Sequence, residues 1–155
     1  MQIEETFGVD APVEAVWRFF EDVPRVARCV PGVQTVDVLA PDRYRVVATQ
    51  KVGFISATFE MTTQVDGKEP LRSLRLSSVG KSVKGAVGTL RSRDRVDLAA
   101  QPSGGTQVTL TSELMVGGML GALGHKAIAA KSRELTEKFA QALRAELQGP
   151  AARGG

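Results

Sequence analysis

The sequence has few residues whose side chains could react, and one of them is its single cysteine. Cys29 lies in the segment RCVPGVQTV, residues 28–36, and the single histidine, His125, is distant from it in sequence. A cysteine nucleophile needs a base that removes its proton, and nothing in the sequence pairs these two side chains. We therefore interpret Cys29 as a structural thiol. The residue pattern predicts no catalytic constellation and no metal site.

The second reactive candidate is Asp94, in the segment LRSRDRV. Strand alternation places Asp94 on the same face as Leu90, Ser92 and Val96, and this face points towards the interior. Burial would raise the pKa of such a carboxyl group and would let it act as a general base. The alternative is a shift of register that turns Asp94 outward, where it joins the neighbouring arginines.

Length and composition predict one domain over residues 1–148, followed by a flexible tail over residues 149–155. The chain has 155 residues, of which 43% are apolar and 5% aromatic, so small side chains must build the core and space can remain inside. The net charge of +3 does not indicate a nucleic acid partner and allows only weak attraction to anionic lipid. Without a signal peptide or an apolar run of about 18 residues, the chain is expected to be soluble and cytoplasmic.

Hydrophobic periodicity predicts an α+β fold with seven strands and a long C-terminal helix. The first strand precedes two short helices, of which the first is expected to be capped by Asp10 and ended by Pro24. Six strands with short turns follow and predict an antiparallel meander. Residues 66–70 and residues 80–85 are expected to be two of these turns. The last helix is predicted over residues 119–147, where apolar residues recur at steps of three and four.

A curved antiparallel sheet that wraps this helix would leave an apolar cavity between the two layers, because helix side chains cannot fill the concave face everywhere. Small and polar residues at inward positions favour such a cavity over a solid core. The pocket residues that alternation and helical spacing predict are Phe54, Ile55, Phe59, Met61, Leu90, Ser92, Asp94, Leu110, Ser112, Leu114, Met119, Leu120, Leu123 and Ala127.

Two glycine-containing segments border this predicted pocket. Gly53 is expected to form a tight hairpin turn, with Phe54 either as an ordinary aromatic contact or as a mobile lip of the cavity. Residues 117–124 contain four glycines within eight residues before the long helix. These glycines either let the helix pack closely on the sheet or form a hinge that admits a bulky ligand.

Three segments, in this order, resemble the CoxG family of carbon monoxide dehydrogenase subunits. They are CVPGV at residues 29–33, KVGFISATFE at residues 51–60 and VGGMLGALGHKAI at residues 116–128. The family belongs to the START-like, or SRPBCC, superfamily of helix-grip folds, and the resemblance covers about residues 1–148. It implies a curved seven-stranded sheet wrapped around the C-terminal helix, with two short helices after the first strand and a deep hydrophobic pocket.

The resemblance also implies a rim for this pocket and a role for the protein. The predicted rim residues are Cys29, Val30, Pro31, Gly32, Gly53, Gly117 and Gly118. The expected partner is a CO-dehydrogenase-type molybdenum hydroxylase, served by an accessory protein without a cofactor of its own. The expected ligand is a hydrophobic small molecule, a quinone or another lipid. The expected location is the cytoplasm, with peripheral contact at the inner face of the cell membrane.

A basic face adds a third kind of candidate site. Its predicted members are Arg91, Arg93 and Arg95 on one strand and Lys81 and Lys84 in the preceding turn. They form either a solvated surface with ion pairs or a docking surface for an acidic partner or lipid headgroups.

Three functions therefore stay open at the level of sequence. The first is a non-catalytic carrier of a hydrophobic ligand that recruits its partner enzyme to the membrane or delivers quinone to it. The second is a small cyclase, dehydratase or hydrolase that uses Asp94 as its base. The third is an assembly factor that acts through the basic face.

Overall fold

The computed structural model describes residues 1–148, which form one sheet and the helices that pack on it. The strands of this part of the chain are β1 (Gln2–Val9), β2 (Val33–Ala40), β3 (Arg43–Val52), β4 (Ile55–Glu69), β5 (Ser73–Gly85), β6 (Gly88–Ala100) and β7 (Thr106–Gly117). The helices are α1 (Val13–Glu21), α2 (Val23–Arg28), α3 (Gly118–Gly121) and α4 (His125–Gln148). The predicted tail over residues 149–155 lies outside the described residues.

The sheet has the strand order β1-β7-β6-β5-β4-β3-β2, with every neighbouring pair antiparallel. Strands β2 to β7 follow one another as a meander, and β1 closes the order by pairing with the last strand, Val9 opposite Thr106. The two short helices connect β1 to β2. This arrangement confirms the predicted α+β helix-grip fold, with a curved sheet and a long C-terminal helix.

Two predicted turns are wrong, because the central strands are longer than their glycines suggest. Residues 66–69 continue β4 across a bulge between Val65 and Gly67, and the turn follows at residues 70–72. Residues 80–85 likewise belong to β5. At Gly80 a Cβ atom would lie 2.5 Å from the side chain of Met61 on the neighbouring strand, so this glycine permits close approach of a strand rather than a turn.

The predicted cap of α1 is also wrong. Pro12 occupies the N-cap position without a side-chain hydrogen bond, and the backbone N–H of Asp10 instead donates to Gln148 at the end of α4. Pro24 does not end a helix but lies in the first turn of α2, where its missing N–H costs no hydrogen bond. Asp22 caps this second helix by accepting from the backbone N–H of Arg25 at 3.3 Å.

The predicted last helix is divided into two. Helix α3 ends before residues 122–124, and Gly124 has a φ of +88°, which a residue with a side chain rarely adopts. Helix α4 then starts at His125. No helix within residues 1–148 is long and apolar enough to span a membrane.

Helix α4 changes its depth of burial along its length. In its second half, Phe139 and Leu143 are buried and belong to a core cluster with α1 and the sheet. The Phe139 ring lies 6.1 Å from the rings of both Phe19 and Phe20, measured between centroids. In the first half, Ile128 and the other inward residues are only half-buried. The helix is thus anchored at its C-terminal end.

A second apolar cluster lies at the opposite end of the sheet. Its buried members are Ala57, Phe59 and Leu120. This end, which we call the hairpin end, comprises the β3–β4 turn at residues 53–54, the β5–β6 turn at residues 86–87, and α3. A backbone hydrogen bond connects α3 to the β5–β6 turn, since the N–H of Met119 donates to the carbonyl oxygen of Val87 at 2.9 Å.

We expect the substitution Leu143→Ala to lower the free energy of unfolding by about 2–5 kcal/mol, because it removes a fully buried side chain and leaves a cavity. Urea denaturation measures this change. The matched control is Leu39→Ala on β2, where the side chain is 45% exposed, and its effect should stay within about 0.5 kcal/mol. Equal losses for the two variants would contradict the anchoring of α4 described above.

Candidate functional site

A row of polar side chains crosses the concave face of the sheet between the two apolar clusters. We call this row the polar belt, and it consists of Thr63, Ser78, Ser92, Asp94 and Ser112. On β4, β6 and β7, apolar residues of one cluster precede the belt and those of the other follow it, whereas on β5 only Leu74 and Leu76 of the first cluster flank it. The belt therefore divides the interior into two parts.

Strand register brings the belt together. Thr63 of β4 pairs with Ser78 of β5, which in turn lies opposite Ser92 of β6. Asp94 of β6 lies opposite Ser112 of β7. Side chains at directly opposed positions of antiparallel strands lie close enough to interact. Hydroxyl groups and one carboxyl group consequently meet on the concave face, between apolar residues such as Leu90 and Val96.

Asp94 is the centre of this belt. The Ser112 hydroxyl donates to its Oδ1 atom at 2.6 Å, and the Ser92 hydroxyl donates to its Oδ2 atom at 2.9 Å. The hydroxyl groups of Thr63 and Ser78 lie 2.8 Å apart in a second hydrogen bond. The prediction that Asp94 faces inward is therefore confirmed, and the alternative of an outward-facing carboxyl group is wrong.

Burial raises the pKa of the Asp94 carboxyl group above its ordinary value. The hydrogen bonds from Ser112 and Ser92 act in the opposite direction, but desolvation is the larger influence. None of the ion pairs found within residues 1–148 includes Asp94. Desolvation makes the neutral form of Asp94 more accessible than that of an exposed carboxyl group, and the neutral form can donate a hydrogen bond to a carbonyl or hydroxyl oxygen.

The predicted pocket residues on the sheet and helix fall into two groups. Phe59 and Leu120 are buried in the cluster of the hairpin end, where Ile55, Met61, Leu90 and Leu123 pack against them. Leu110, Leu114 and Ala127 are half-buried beside the belt or on the first turn of α4. Phe59 and Leu120 thus fill the interior at the hairpin end, and the half-buried residues lie towards its middle.

Two predicted pocket residues do not line the interior. Phe54 stands at the tip of the two-residue β3–β4 turn with its side chain fully exposed. Met119 is 54% exposed on α3. The expected tight turn at Gly53 is confirmed, and it places Phe54, its second residue, beyond the sheet, while the short α3 buries only Leu120.

The Cys-Val-Pro-Gly turn joins α2 to β2 and rests on β3. A Cβ atom on Gly32 would lie 2.2 Å from the backbone oxygen of Thr49, so only glycine fits this position. The Pro31 carbonyl oxygen accepts a hydrogen bond from the side chain of Gln50 at 2.8 Å, and Val30 is half-buried against the core. The assignment of this turn to a pocket rim stays a prediction.

Cys29 itself belongs to the core cluster at the C-terminal end of α4. Its thiol donates to Glu146 at 3.8 Å, and Arg25 forms an ion pair with the same carboxylate. Burial and then the Glu146 charge raise the pKa of the Cys29 thiol, so the reactive thiolate is disfavoured. This environment agrees with the interpretation of Cys29 as a structural thiol.

The remaining rim residues mark the two connections at the hairpin end. Gly53 has a φ of +61° at the first position of its two-residue turn, and Gly118 has a φ of +74° where β7 passes into α3. A Cβ atom on Gly118 would lie 2.7 Å from the backbone oxygen of residue 87, and one on Gly117 would lie 2.5 Å from Thr89. These glycines let α3 close tightly over the end of the sheet.

A groove of about 690 Å³ runs along the edge of the sheet between β1 and α4. Glu5 on β1 and Arg133 on α4 face each other across it, with 4.0 Å between Oε1 and Nε. Ile3, which also lines the groove, lies directly opposite Ser112 in the β1–β7 ladder. The groove therefore reaches to within one strand of the polar belt.

The predicted basic face lies on the outer surface of the sheet. Arg91, Arg93 and Arg95 are exposed, and Arg95 forms an ion pair with Asp97 at 2.9 Å. Lys81 and Lys84 are exposed as well but belong to β5 rather than to a turn. Within residues 1–148, no three Cys, His, Asp or Glu side chains lie close enough together to hold a metal ion.

Sequence reasoning missed Thr63 and Ser78, although a signal for them existed. The alternation that places Phe59 and Met61 inward continues to Thr63, and Ser78 occupies the corresponding face of β5. Both residues lie within the predicted strands, so extending the alternation of inward positions to the ends of these strands would have found them.

Comparison with known protein families finds one match. The model for CoxG, a family described as a subunit of carbon monoxide dehydrogenase, matches residues 6–148, which is most of the chain. This chain belongs to the CoxG family. Comparison with curated proteins found no match.

Solved structures show that this family member has a START-like fold. A conserved protein from Geobacillus kaustophilus superposes with a TM-score of 0.86 at 20% identity, covering 96% of this chain and 95% of that one. A START superfamily protein from Mycobacterium smegmatis gives 0.69 at 16% identity, covering 95% and 97%. The Zhui aromatase/cyclase from Streptomyces sp. R1128 gives 0.67 at 17% identity, covering 96% and 93%.

The raised pKa of Asp94 predicts a pH-dependent effect of Asp94→Asn. The contribution of protonated Asp94 to the free energy of unfolding is fully present below the ordinary carboxyl pKa of about 4. It is lost as the pH rises through the higher pKa of the folded state. The amide of the variant does not ionise, so we expect the variant to become progressively more stable than the natural chain as the pH rises over this interval. Urea denaturation at a series of pH values measures the difference.

The control for this experiment is Asp97→Asn on the same strand. Asp97 lies on the outer face and pairs with Arg95, so its substitution should give no gain in stability as the pH rises. A free-energy difference between the natural chain and Asp94→Asn that stays constant with pH would contradict the buried environment assigned to Asp94.

Proposed function

We propose that this protein is a non-catalytic carrier that binds a long hydrophobic molecule with a carbonyl-bearing head, a quinone or a related isoprenoid lipid. The observation that carries the proposal is the polar belt, which places a buried carboxyl group and serine hydroxyls between two apolar clusters. Binding sites for apolar ligands combine a hydrophobic wall with a few placed polar groups. The belt supports this kind of site.

In the proposed complex, the head of the ligand contacts Asp94 and its serine partners. The neutral Asp94 carboxyl group donates a hydrogen bond to a carbonyl oxygen of the ligand, and the Ser92 and Ser112 hydroxyls keep the carboxyl group in place. The tail lies against half-buried apolar residues such as Leu110 and Leu114. Burial of the tail supplies most of the affinity, at about 25 cal/mol per Å² of apolar surface.

Family membership supports the physiological setting of this proposal. The CoxG family is described as a subunit of carbon monoxide dehydrogenase. We propose that the protein acts as an accessory to an enzyme of this type. In this role it recruits the enzyme to the membrane or delivers quinone to it as an electron acceptor, without carrying out a redox step itself.

A second candidate function is a cyclase, dehydratase or hydrolase with Asp94 as the base. Two observations favour it, namely the raised pKa of Asp94 and the START-like fold shared with an aromatase/cyclase. The two functions differ in what happens to a bound molecule. A carrier releases its ligand with unchanged mass, whereas an enzyme changes the ligand in a way that Asp94→Asn abolishes. Native mass spectrometry followed by lipid extraction distinguishes these outcomes.

We expect Asp94→Leu to weaken the binding of decylubiquinone in detergent by about tenfold, because the variant loses one hydrogen bond to the head and keeps the apolar wall. Asp94→Asn should retain most of the affinity, since its amide can still donate to a carbonyl oxygen. Fluorescence or calorimetric titration gives the dissociation constants.

Two controls make this result specific. Dodecylbenzene, which lacks carbonyl groups, should bind equally well to the natural chain and to Asp94→Leu, and Asp97→Leu on the outer face should leave quinone binding unchanged. Absence of quinone binding by the natural chain, together with absence of any copurified lipid, would contradict the carrier function.

A further inference from the structure

We propose that the hairpin end is a membrane-docking surface that inserts apolar side chains into an anionic lipid bilayer. The purpose we assign to this docking, exchange of the ligand with the bilayer, rests on the proposed carrier function. The docking itself follows from the apolar and charged side chains at this end.

The first observation is a set of exposed apolar side chains on separate parts of the hairpin end. Phe54, at the tip of the β3–β4 turn, is fully exposed, and Val87, in the β5–β6 turn, is 71% exposed. Val83 near the end of β5 and Met119 on α3 are each more than half exposed. Exposed apolar residues scattered singly need no explanation, but a group that protrudes from neighbouring turns indicates an interaction surface.

The second observation is the charge of the same end. Lys51, Lys84 and Lys126 are exposed beside the two turns and at the start of α4. The segments around this end, residues 51–59, 80–90 and 114–130, contain four lysines and no aspartate or glutamate. Elsewhere the surface mixes both signs, as in the ion pairs of β2 with β3 and along α4.

Together these observations favour a lipid bilayer as the occupant. Lysines that surround protruding apolar side chains match the layered chemistry of an anionic membrane, in which phosphate groups lie above the acyl chains. The nearest acidic residue on the outer face, Glu60, lies opposite Lys81 in the β4–β5 ladder and is set back from the turns. An acidic protein surface would satisfy the lysines but would not require a fully exposed phenylalanine at the tip.

The position of the docking surface suits transfer of a hydrophobic ligand. Leu120 of α3 packs against Phe59 of the sheet in the apolar cluster of this end. Gly118, the first residue of α3, and Gly124, which follows the helix, have positive φ angles. A ligand that passes from the bilayer beneath α3 would meet apolar side chains before it reaches the polar belt. It would thus avoid contact with water along this path.

The test is flotation of the purified protein with vesicles of phosphatidylcholine and phosphatidylglycerol, and with vesicles of phosphatidylcholine alone. We expect the protein to float with the anionic vesicles and to be released by added salt, because the lysine contribution is electrostatic. Replacing Lys51, Lys84 and Lys126 together by glutamine should weaken partitioning by about fivefold per lysine. Phe54→Ser should weaken it as well, and Val38→Ser, an exposed site on β2 away from the hairpin end, should not.

Depth of insertion has a direct optical readout. In the variant Phe54→Trp, the new indole should shift its emission to shorter wavelength when anionic vesicles are added, whereas Val38→Trp should show no shift beyond the buried Trp17 background. Failure of the natural chain to bind anionic vesicles, or equal binding by the hairpin-end and Val38 variants, would overturn the proposal and would indicate a protein partner for this surface. Quinone titration in detergent is independent of docking, so it separates this failure from failure of the carrier function.

Discussion

Helix α4 can bury its apolar stripe only against the concave face of the sheet, and the polar belt limits how completely it does so. In its second half, Phe139 and Leu143 pack into the core with α1, and this half anchors the helix. In its first half the helix crosses the region of the belt, where hydroxyl groups and a carboxyl group replace apolar side chains. These polar groups leave water only because they bond to one another, Asp94 to Ser92 and Ser112 and Thr63 to Ser78.

The belt gives the interior two properties that a carrier of a quinone-like molecule requires. Apolar residues flank it on β4, β6 and β7 and favour a hydrocarbon tail, and Asp94 offers a hydrogen bond to a polar head. The serine partners satisfy the carboxyl oxygens when no ligand is present, at 2.6 and 2.9 Å. The same carboxyl group could act as a base in an enzyme, which is why family membership alone does not decide between carrier and catalyst.

The two ends of the molecule differ in ways that follow from their composition. Cys29, Arg25 and Glu146 interact at the anchored end, where burial and the Glu146 charge raise the pKa of the thiol. The hairpin end is built from glycine-rich connections, carries cations without acids, and exposes apolar tips. Such an end would bind favourably to a surface that offers both hydrocarbon and negative charge. An anionic bilayer is such a surface, and it is also where a hydrophobic ligand of the proposed kind would be found.

The order of the elements and the antiparallel meander follow from the sequence alone, because periods of two and of three to four residues depend only on local geometry. The sequence left the face of Asp94 open, and strand pairing placed it inward opposite Ser112. The lengths of β4 and β5, the break before His125 and the exposure of Phe54 do not follow, since each depends on which backbone groups a neighbouring strand or turn can pair. The polar belt likewise arises only from strand register, which places Thr63 beside Ser78 and Asp94 beside Ser112 although they are distant in sequence. Residue types thus determined the chemistry that was available, and tertiary pairing decided where that chemistry is concentrated.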